Sequence, residues 1–315
     1  MRKILVTGGA GFIGSNLIAS LLEHDFAVTC LDNLSTGSEE NISEFENHTN
    51  FTFINGDILD FDLLLKLTRE VNLVSHQAAL GSVPRSINDP LLTNRVNIEG
   101  TLNVFKACVD NGVQKVVYAA SSSTYGDSAE LPKQEERIGK PLSPYAVTKY
   151  VNELYADVFH KVYGLNIIGL RYFNVFGPKQ NPQGPYAAVI PLFIKAILEE
   201  SSPIIYGDGL TSRDFTFVEN AVEANIKALE APLESYNAVY NVAYGKSTTL
   251  VELFEFIRKE ANSNLEVNFG EERKGDVKHS LADISKARKF LGYDPKYSIE
   301  DGLKATFKWY KELTI

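Results

Sequence analysis

Residues 3–14 read Lys3-Ile4-Leu5-Val6-Thr7-Gly8-Gly9-Ala10-Gly11-Phe12-Ile13-Gly14, and the reading of this stretch decides the fold. Residues 4–7 form a short apolar run of strand character, and the residues beyond Gly11 carry the spacing of an amphipathic helix to about residue 23. Between them Gly9, Gly11 and Gly14 fit G-x-G-x-x-G, with Gly8 three residues before Gly11. A strand, a tight glycine turn and a helix N-terminus make a seat for a pyrophosphate. The missing side chains let the anion reach the backbone, and free N–H groups and the helix dipole face it. Asp32 follows Gly14 at the end of a second strand-like run, residues 27–31. A carboxylate there accepts both hydroxyls of a ribose and repels a 2′-phosphate, so the site predicted is for NAD rather than NADP. Gly8, Gly11, Phe12, Ile13, Gly14, Asp32 and Asn33 are its candidate residues.

Outward from that stretch the alternation continues. Residues 51–54 are strand-like, 63–71 helical and 73–76 strand-like. Residues 90–111 form a long helical pattern between Pro90 and Gly112. Residues 116–120 read as a strand, 145–163 as a helix stopped by Gly164, and 166–170 as a strand. Such alternation implies crossovers and a parallel sheet with helices on both faces. After Asn174 the texture changes to a loop over 177–185 with three prolines and two glycines, then shorter elements and a helix over 299–313. The expected architecture is α/β: a doubly wound, mostly parallel Rossmann sheet with a smaller C-terminal substrate-binding region. Residues 1–173 form the NAD-binding part, which also receives part of 216–246, and 174–315 mainly bind substrate.

Composition excludes several other classes. The net charge of −9 argues against a nucleic-acid surface. No apolar run is long enough to span a bilayer, and the chain enters a strand at once with no signal-peptide pattern, so a cytoplasmic location is the default expectation. Cys30 and Cys108 lie far apart in apolar stretches and read as free buried thiols. The scattered histidines offer no metal-ligand spacing.

Tyr145 and Lys149 stand four apart in a helical stretch and so share a face. With 15 tyrosines in the chain the spacing alone arises by chance, but Ser143-Pro144 starts the helix just ahead of it. The serine run Ser121-Ser122-Ser123 ends the preceding strand, whose C-terminus should face the ligand crevice. A neighbouring ammonium and a cationic nicotinamide should lower the tyrosine pKa and let the phenolate act as a base.

These residues together resemble the extended short-chain dehydrogenase/reductase family of NAD-dependent epimerases and dehydratases, over nearly the whole chain. The similarity is nearest to bacterial UDP-N-acetylglucosamine 4-epimerases, through residues 7–14, 76–86, 118–126, 140–159, 170–182 and 207–215. The resemblance implies that Tyr145 is the acid/base, that Lys149 holds the nicotinamide ribose, and that Ser121 bonds the sugar O4. Asp57, Ile58, Gln77, Asn97 and Phe173 would line the cofactor pocket. Ser82, Ser122, Asn174, Val189, Arg213, Arg273, Asp276 and Ser280 would serve the UDP-sugar. It also implies a homodimer built on the helices over 90–111 and 145–163.

Among activities of that family, dehydratases carry acidic residues directly after the catalytic Ser/Thr, and decarboxylases a glutamate two places after it. Here those places are Ser122 and Ser123, which leaves epimerisation. Enzymes restricted to non-acetylated sugars place a tyrosine four residues after the aspartate of R-x-G-D. This chain has Arg273-Lys274-Gly275-Asp276 and then Ser280, which leaves room for a 2-N-acetyl group. UDP-glucose/galactose and UDP-N-acetylhexosaminuronate remain the alternative substrates. A non-catalytic NAD-binding regulator would have no need to keep tyrosine, lysine and serine together.

Overall fold

The computed structural model describes residues 2–182, 188–271 and 278–313. In chain order, β1 (Lys3–Thr7) leads through the glycine turn into α1 (Phe12–Glu23), followed by β2 (Ala27–Asp32), β3 (Phe51–Asn55), α2 (Phe61–Arg69) and β4 (Leu73–His76). Then come α3 (Val83–Asn88), α4 (Pro90–Asn94), α5 (Gly100–Asp110), β5 (Lys115–Ser121), α6 (Pro144–Tyr163), β6 (Ile167–Tyr172) and β7 (Val175–Phe176). The remainder runs α7 (Val189–Leu198), β8 (Ile204–Tyr206), β9 (Ser212–Asp214), β10 (Thr216–Phe217), α8 (Val218–Glu230), β11 (Ala238–Val242), β12 (Ser247–Thr249), α9 (Leu250–Glu260), β13 (Asn268–Gly270), α10 (Ser285–Leu291) and α11 (Ile299–Leu313).

Seven strands form one parallel sheet in the order β3-β2-β1-β4-β5-β6-β11. The order reverses between β1 and β4, so a crevice opens beyond the carboxyl ends of Thr7 and His76, where doubly wound sheets hold their ligands. β11 completes the edge beside β6, with Ala238 opposite Ile168. This strand, residues 238–242, comes from the chain after α8. Three two-stranded sheets, β7/β10, β9/β12 and β8/β13, build the C-terminal part. One buried apolar cluster runs from Ile4 and Leu17 through Phe193 and Leu253 to Tyr293.

Local sequence explains the elements that carry the site. Ser143 caps α6 by accepting from the Ala146 amide at 3.1 Å, Pro144 occupies the first turn, and Gly164 ends the helix at φ 70°. The long helical pattern over 90–111 is interrupted. A π-helical segment, Arg95–Glu99, separates α4 from α5. The extra residue turns Asn97 fully inward, where it bonds across to Leu80 and Thr148.

Candidate active site

A cavity of about 1260 Å³ lies at the switch point, lined by the glycine turn on one side and by β5, α6 and the segment after β6 on the other. That exceeds the usual few hundred to 1,000 Å³ of a single small-ligand pocket, and suits two nucleotide-sized ligands meeting end to end.

The cradle end is built by close approach. Gly8 sits at φ +70°, and a Cβ there would come within 2.6 Å of the Ala78 backbone. At Gly14 a Cβ would meet the Gly8 carbonyl oxygen at 2.2 Å. α1 begins at Gly11 with no side-chain cap, so its first N–H groups are left for an anion. Asp32 is buried, and its two oxygens accept from the Ala10 amide at 3.0 Å and the Leu34 amide at 2.8 Å. Burial raises its carboxyl while these two bonds pull it back down. Asn33 donates to Asp57 at 2.8 Å, so the ends of β2 and β3 are fixed to one another beside Ile58. Gln77 lines the middle of the cavity, held by Tyr172, Asn225 and Ser75. These groups fit a dinucleotide: a pyrophosphate at the turn and a ribose diol at Asp32.

At the other end Ser121, Tyr145 and Lys149 come together on the cavity wall. Ser121 and Tyr145 share this stretch of wall, near enough for the Ser121 hydroxyl to draw the phenol pKa down, and Ser121 is oriented by the Ser123 amide at 3.1 Å and hydroxyl at 2.9 Å. Ser122 lines the cavity and Ser123 does not. Lys149 is 4% exposed; its Nζ donates to the Ala119 carbonyl at 2.8 Å and lies 6.0 Å from the Tyr145 ring centroid.

The protein groups do not lower the Tyr145 pKa as expected. Burial pushes the phenol up, and the nearby Ser121 hydroxyl is what opposes it. The lysine is the group brought toward neutrality: burial lowers Lys149 to about 8, with Glu153 holding it up.

The remaining expected residues divide. Ser82 and Asn174 line the cavity; Ser82 caps α3, and Asn174, at φ 40°, donates to the Asp214 carbonyl at 3.0 Å. Asn97 and Phe173 are not on its wall. Asn97 accepts from the Leu80 amide at 2.8 Å and so shapes the lining loop from behind, and Phe173 is a core ring tilted against Tyr125 with centroids 5.8 Å apart. Val189 opens α7 and packs toward the core, while its neighbour Ala188 lines the cavity. Arg213 on β9 donates to the carbonyls of Ser212 at 3.0 Å and Lys278 at 3.3 Å. Ser280 donates its amide to Ser212 at 3.1 Å. Neither side chain is among the described residues lining the cavity. Arg273 and Asp276 lie outside the described residues.

The sequence reading missed two walls. One is the segment after Asp32 (Ser35, Thr36, Gly37, Ser38, Asn41), whose run of small polar residues beside an adenosine-site aspartate was the available signal. The other combines Lys179 and Gln180 with Trp309, Tyr310 and Leu313 of α11, and no local pattern marks a C-terminal helix as reaching a cofactor site. Among the described residues no cluster could hold a metal ion, and no helix is long and apolar enough to cross a membrane.

Comparison with known proteins bears on the same residues. The sequence profile of the NAD dependent epimerase/dehydratase family matches residues 4–243. A solved UDP-N-acetylglucosamine 4-epimerase from Methanobrevibacter ruminantium, in complex with UDP-N-acetylmuramic acid, is 46% identical with TM-score 0.95, covering 99% of both chains. A UDP-glucuronic acid 4-epimerase from Bacillus cereus, solved with UDP-glucuronic acid and NAD, is 34% identical with TM-score 0.92, over 99% of this chain and 100% of the other. A putative UDP-glucose 4-epimerase of Methanocaldococcus jannaschii is 39% identical over 310 residues, 98% of each chain. The chain belongs to the NAD-dependent epimerase/dehydratase family. Within that family it is an NAD-dependent epimerase of nucleotide sugars.

Proposed function

We propose that this chain inverts carbon 4 of a UDP-hexose, interconverting UDP-GlcNAc and UDP-GalNAc in preference to the non-acetylated or uronic pairs. The observation that carries the 4-epimerase reading is the Ser121–Tyr145–Lys149 group at the end of the dinucleotide cavity, followed by the hydroxyls of Ser122 and Ser123 where elimination would need carboxylates. The acetylated sugar is supported by Ser280 four places after Asp276, and by likeness to an enzyme solved with an N-acetylated UDP-sugar.

Bound NAD supplies the hydride acceptor at the sugar C4 and returns the hydride. The chain does the rest. Ser121 bonds the sugar O4 and hands its proton line to Tyr145, whose phenolic oxygen takes the proton and later gives it back. The ammonium of Lys149, fixed on the Ala119 carbonyl, is the group assigned to steady the nicotinamide ribose. Between the two transfers the 4-keto sugar must present its other face, so the strong hold falls on the UDP. Asn174, Arg213 and Arg273 are the groups assigned to it in the 174–315 region. Nucleotide sugars, NAD and two free buried cysteines fit a cytoplasmic enzyme.

Incubating the purified protein with UDP-GlcNAc and, separately, UDP-Glc, and resolving products by anion-exchange chromatography, tests the reading. UDP-GalNAc forming faster than UDP-Gal is expected; neither product after NAD is supplied would overturn it. We assign a homodimer to the same function. Val147, Leu154, Val158 and Val162 leave an apolar stripe on α6 beside the 83%-exposed Leu91 of α4, and a solution species of only 34.9 kDa would end that assignment.

A further inference from the structure

The rim of the cavity above the glycine turn is tied shut by contacts that the reaction does not use. The loop leaving β7 crosses the N-terminus of α1, where Asn16 donates to the Pro178 carbonyl at 3.1 Å. Lys179, at φ 68°, then reaches the segment that follows Asp32. Its Nζ donates to Glu44 Oε1 at 2.6 Å and to the Asn41 carbonyl at 2.8 Å, and it lies 5.1 Å from the Phe45 ring centroid. Asn41 in turn donates to the Ala10 carbonyl at 2.9 Å, inside the glycine turn itself. From the outer side the Tyr310 hydroxyl of α11 donates to the Gln180 carbonyl. Asn41 and Lys179 both line the cavity that holds Gly11 to Gly14 and Asp32.

We infer that Lys179 is a latch on the dinucleotide cradle: by joining the β7 loop to the Asn41–Phe45 segment it closes the rim and sets how slowly NAD leaves. This side chain joins the loop after β7 to the segment that follows β2. Asn41 and Lys179 line the same cavity as Asp32 and the glycine turn, the groups that would hold the adenosine ribose and the pyrophosphate, so opening of the contact would gate release of the dinucleotide. An epimerase gains from this, because the hydride removed from the sugar must return before the cofactor exchanges. The lysine is the dominant half of the latch. Its side chain is 15% exposed against 59% for Glu44, and a half-exposed carboxylate alone contributes little. The Asn41 carbonyl and the Phe45 face hold the ammonium even when Glu44 is neutral.

The test is exchange of bound NAD in the gel-filtered holoenzyme against excess radiolabelled NAD, with thermal unfolding recorded on the same samples. Lys179→Met is expected to speed exchange about tenfold, the loss of one charge-assisted contact in the barrier to release. Glu44→Gln should speed it about two- to threefold, and Lys179→Arg should exchange near the wild-type rate. Lys106→Met breaks a surface pair with Asp110 on α5 and serves as the control, expected to leave exchange unchanged. Wild-type exchange in Lys179→Met overturns the inference, as does equal acceleration in the Lys106 control. Should Lys179→Met fail to fold, Lys179→Gln, which keeps a donor at the rim but loses the charge, decides: unchanged exchange in it overturns the latch.

Discussion

The buried ion pair one turn below Lys149 should couple stability to the pH range of catalysis. Arg171 donates to Glu153 through Nε at 2.9 Å and Nη2 at 2.6 Å, with side chains only 4% and 6% exposed. The guanidinium also donates to the Glu135 carbonyl at 2.9 Å and lies 4.9 Å from the Tyr125 ring centroid. Removing either partner strands a charge in the interior. Glu153→Met and Arg171→Met should therefore each cost about 3–5 kcal/mol, a fall in Tm on the order of 10 °C for a chain of this size. The double variant strands neither charge and should cost less than the worse single one, giving a coupling of several kcal/mol. The same variants should move activity with pH. Lys149 falls from 10.5 to about 8 by burial, with Glu153 raising it. Wild-type activity should decline above about pH 8 as the ammonium is lost. Losing the carboxylate in Glu153→Met lowers that limb further, and freeing it in Arg171→Met raises it. Denaturant and thermal unfolding, with initial epimerisation rates between roughly pH 6.5 and 9.5, read both effects. Additive stability losses, or alkaline limbs that coincide in all four proteins, would refute the reasoning.

Three further outcomes are expected. Tyr145→Phe should retain fold and bound NAD while the epimerisation rate drops by about 10²–10⁴; a rate within tenfold of wild type would remove the phenol from its assigned role. Gly8→Ala puts a Cβ 2.6 Å from the Ala78 backbone at φ +70°, so it should cost about 2 kcal/mol or more and lower the NAD content of the purified protein; undiminished NAD content in a folded variant would contradict the cradle. Ser280→Tyr should depress the UDP-GlcNAc rate about 10–200-fold relative to UDP-Glc, and an equal loss for both sugars would take Ser280 out of sugar selection.

The strands and helices that frame the site were readable because each is bounded by local chemistry. Gly8–Gly14 and Asp32 fix the first β-α-β unit, Ser143-Pro144 and Gly164 bound α6, and β4 falls on Leu73–His76 as its apolar run requires. What escaped depends on tertiary contact. The π segment at Arg95–Glu99 carries no glycine or proline; it goes with the inward placement of Asn97 against Leu80 and Thr148. α11 matched its expected span, residue for residue, yet its place against the cofactor cavity follows from packing of the C-terminal part on the sheet. The Tyr145 phenol showed the opposite case: its partners were legible, but burial outweighs them and sends its pKa upward.

The central claim is a hydride that leaves C4 and returns to the same carbon without exchange, and it is tested directly with UDP-GlcNAc carrying deuterium at C4. The account predicts UDP-GalNAc that keeps the deuterium at C4 by NMR, formed without added cofactor and with no NADH released to solution. Product with the label lost to solvent, or no C4-inverted product at all, would contradict it.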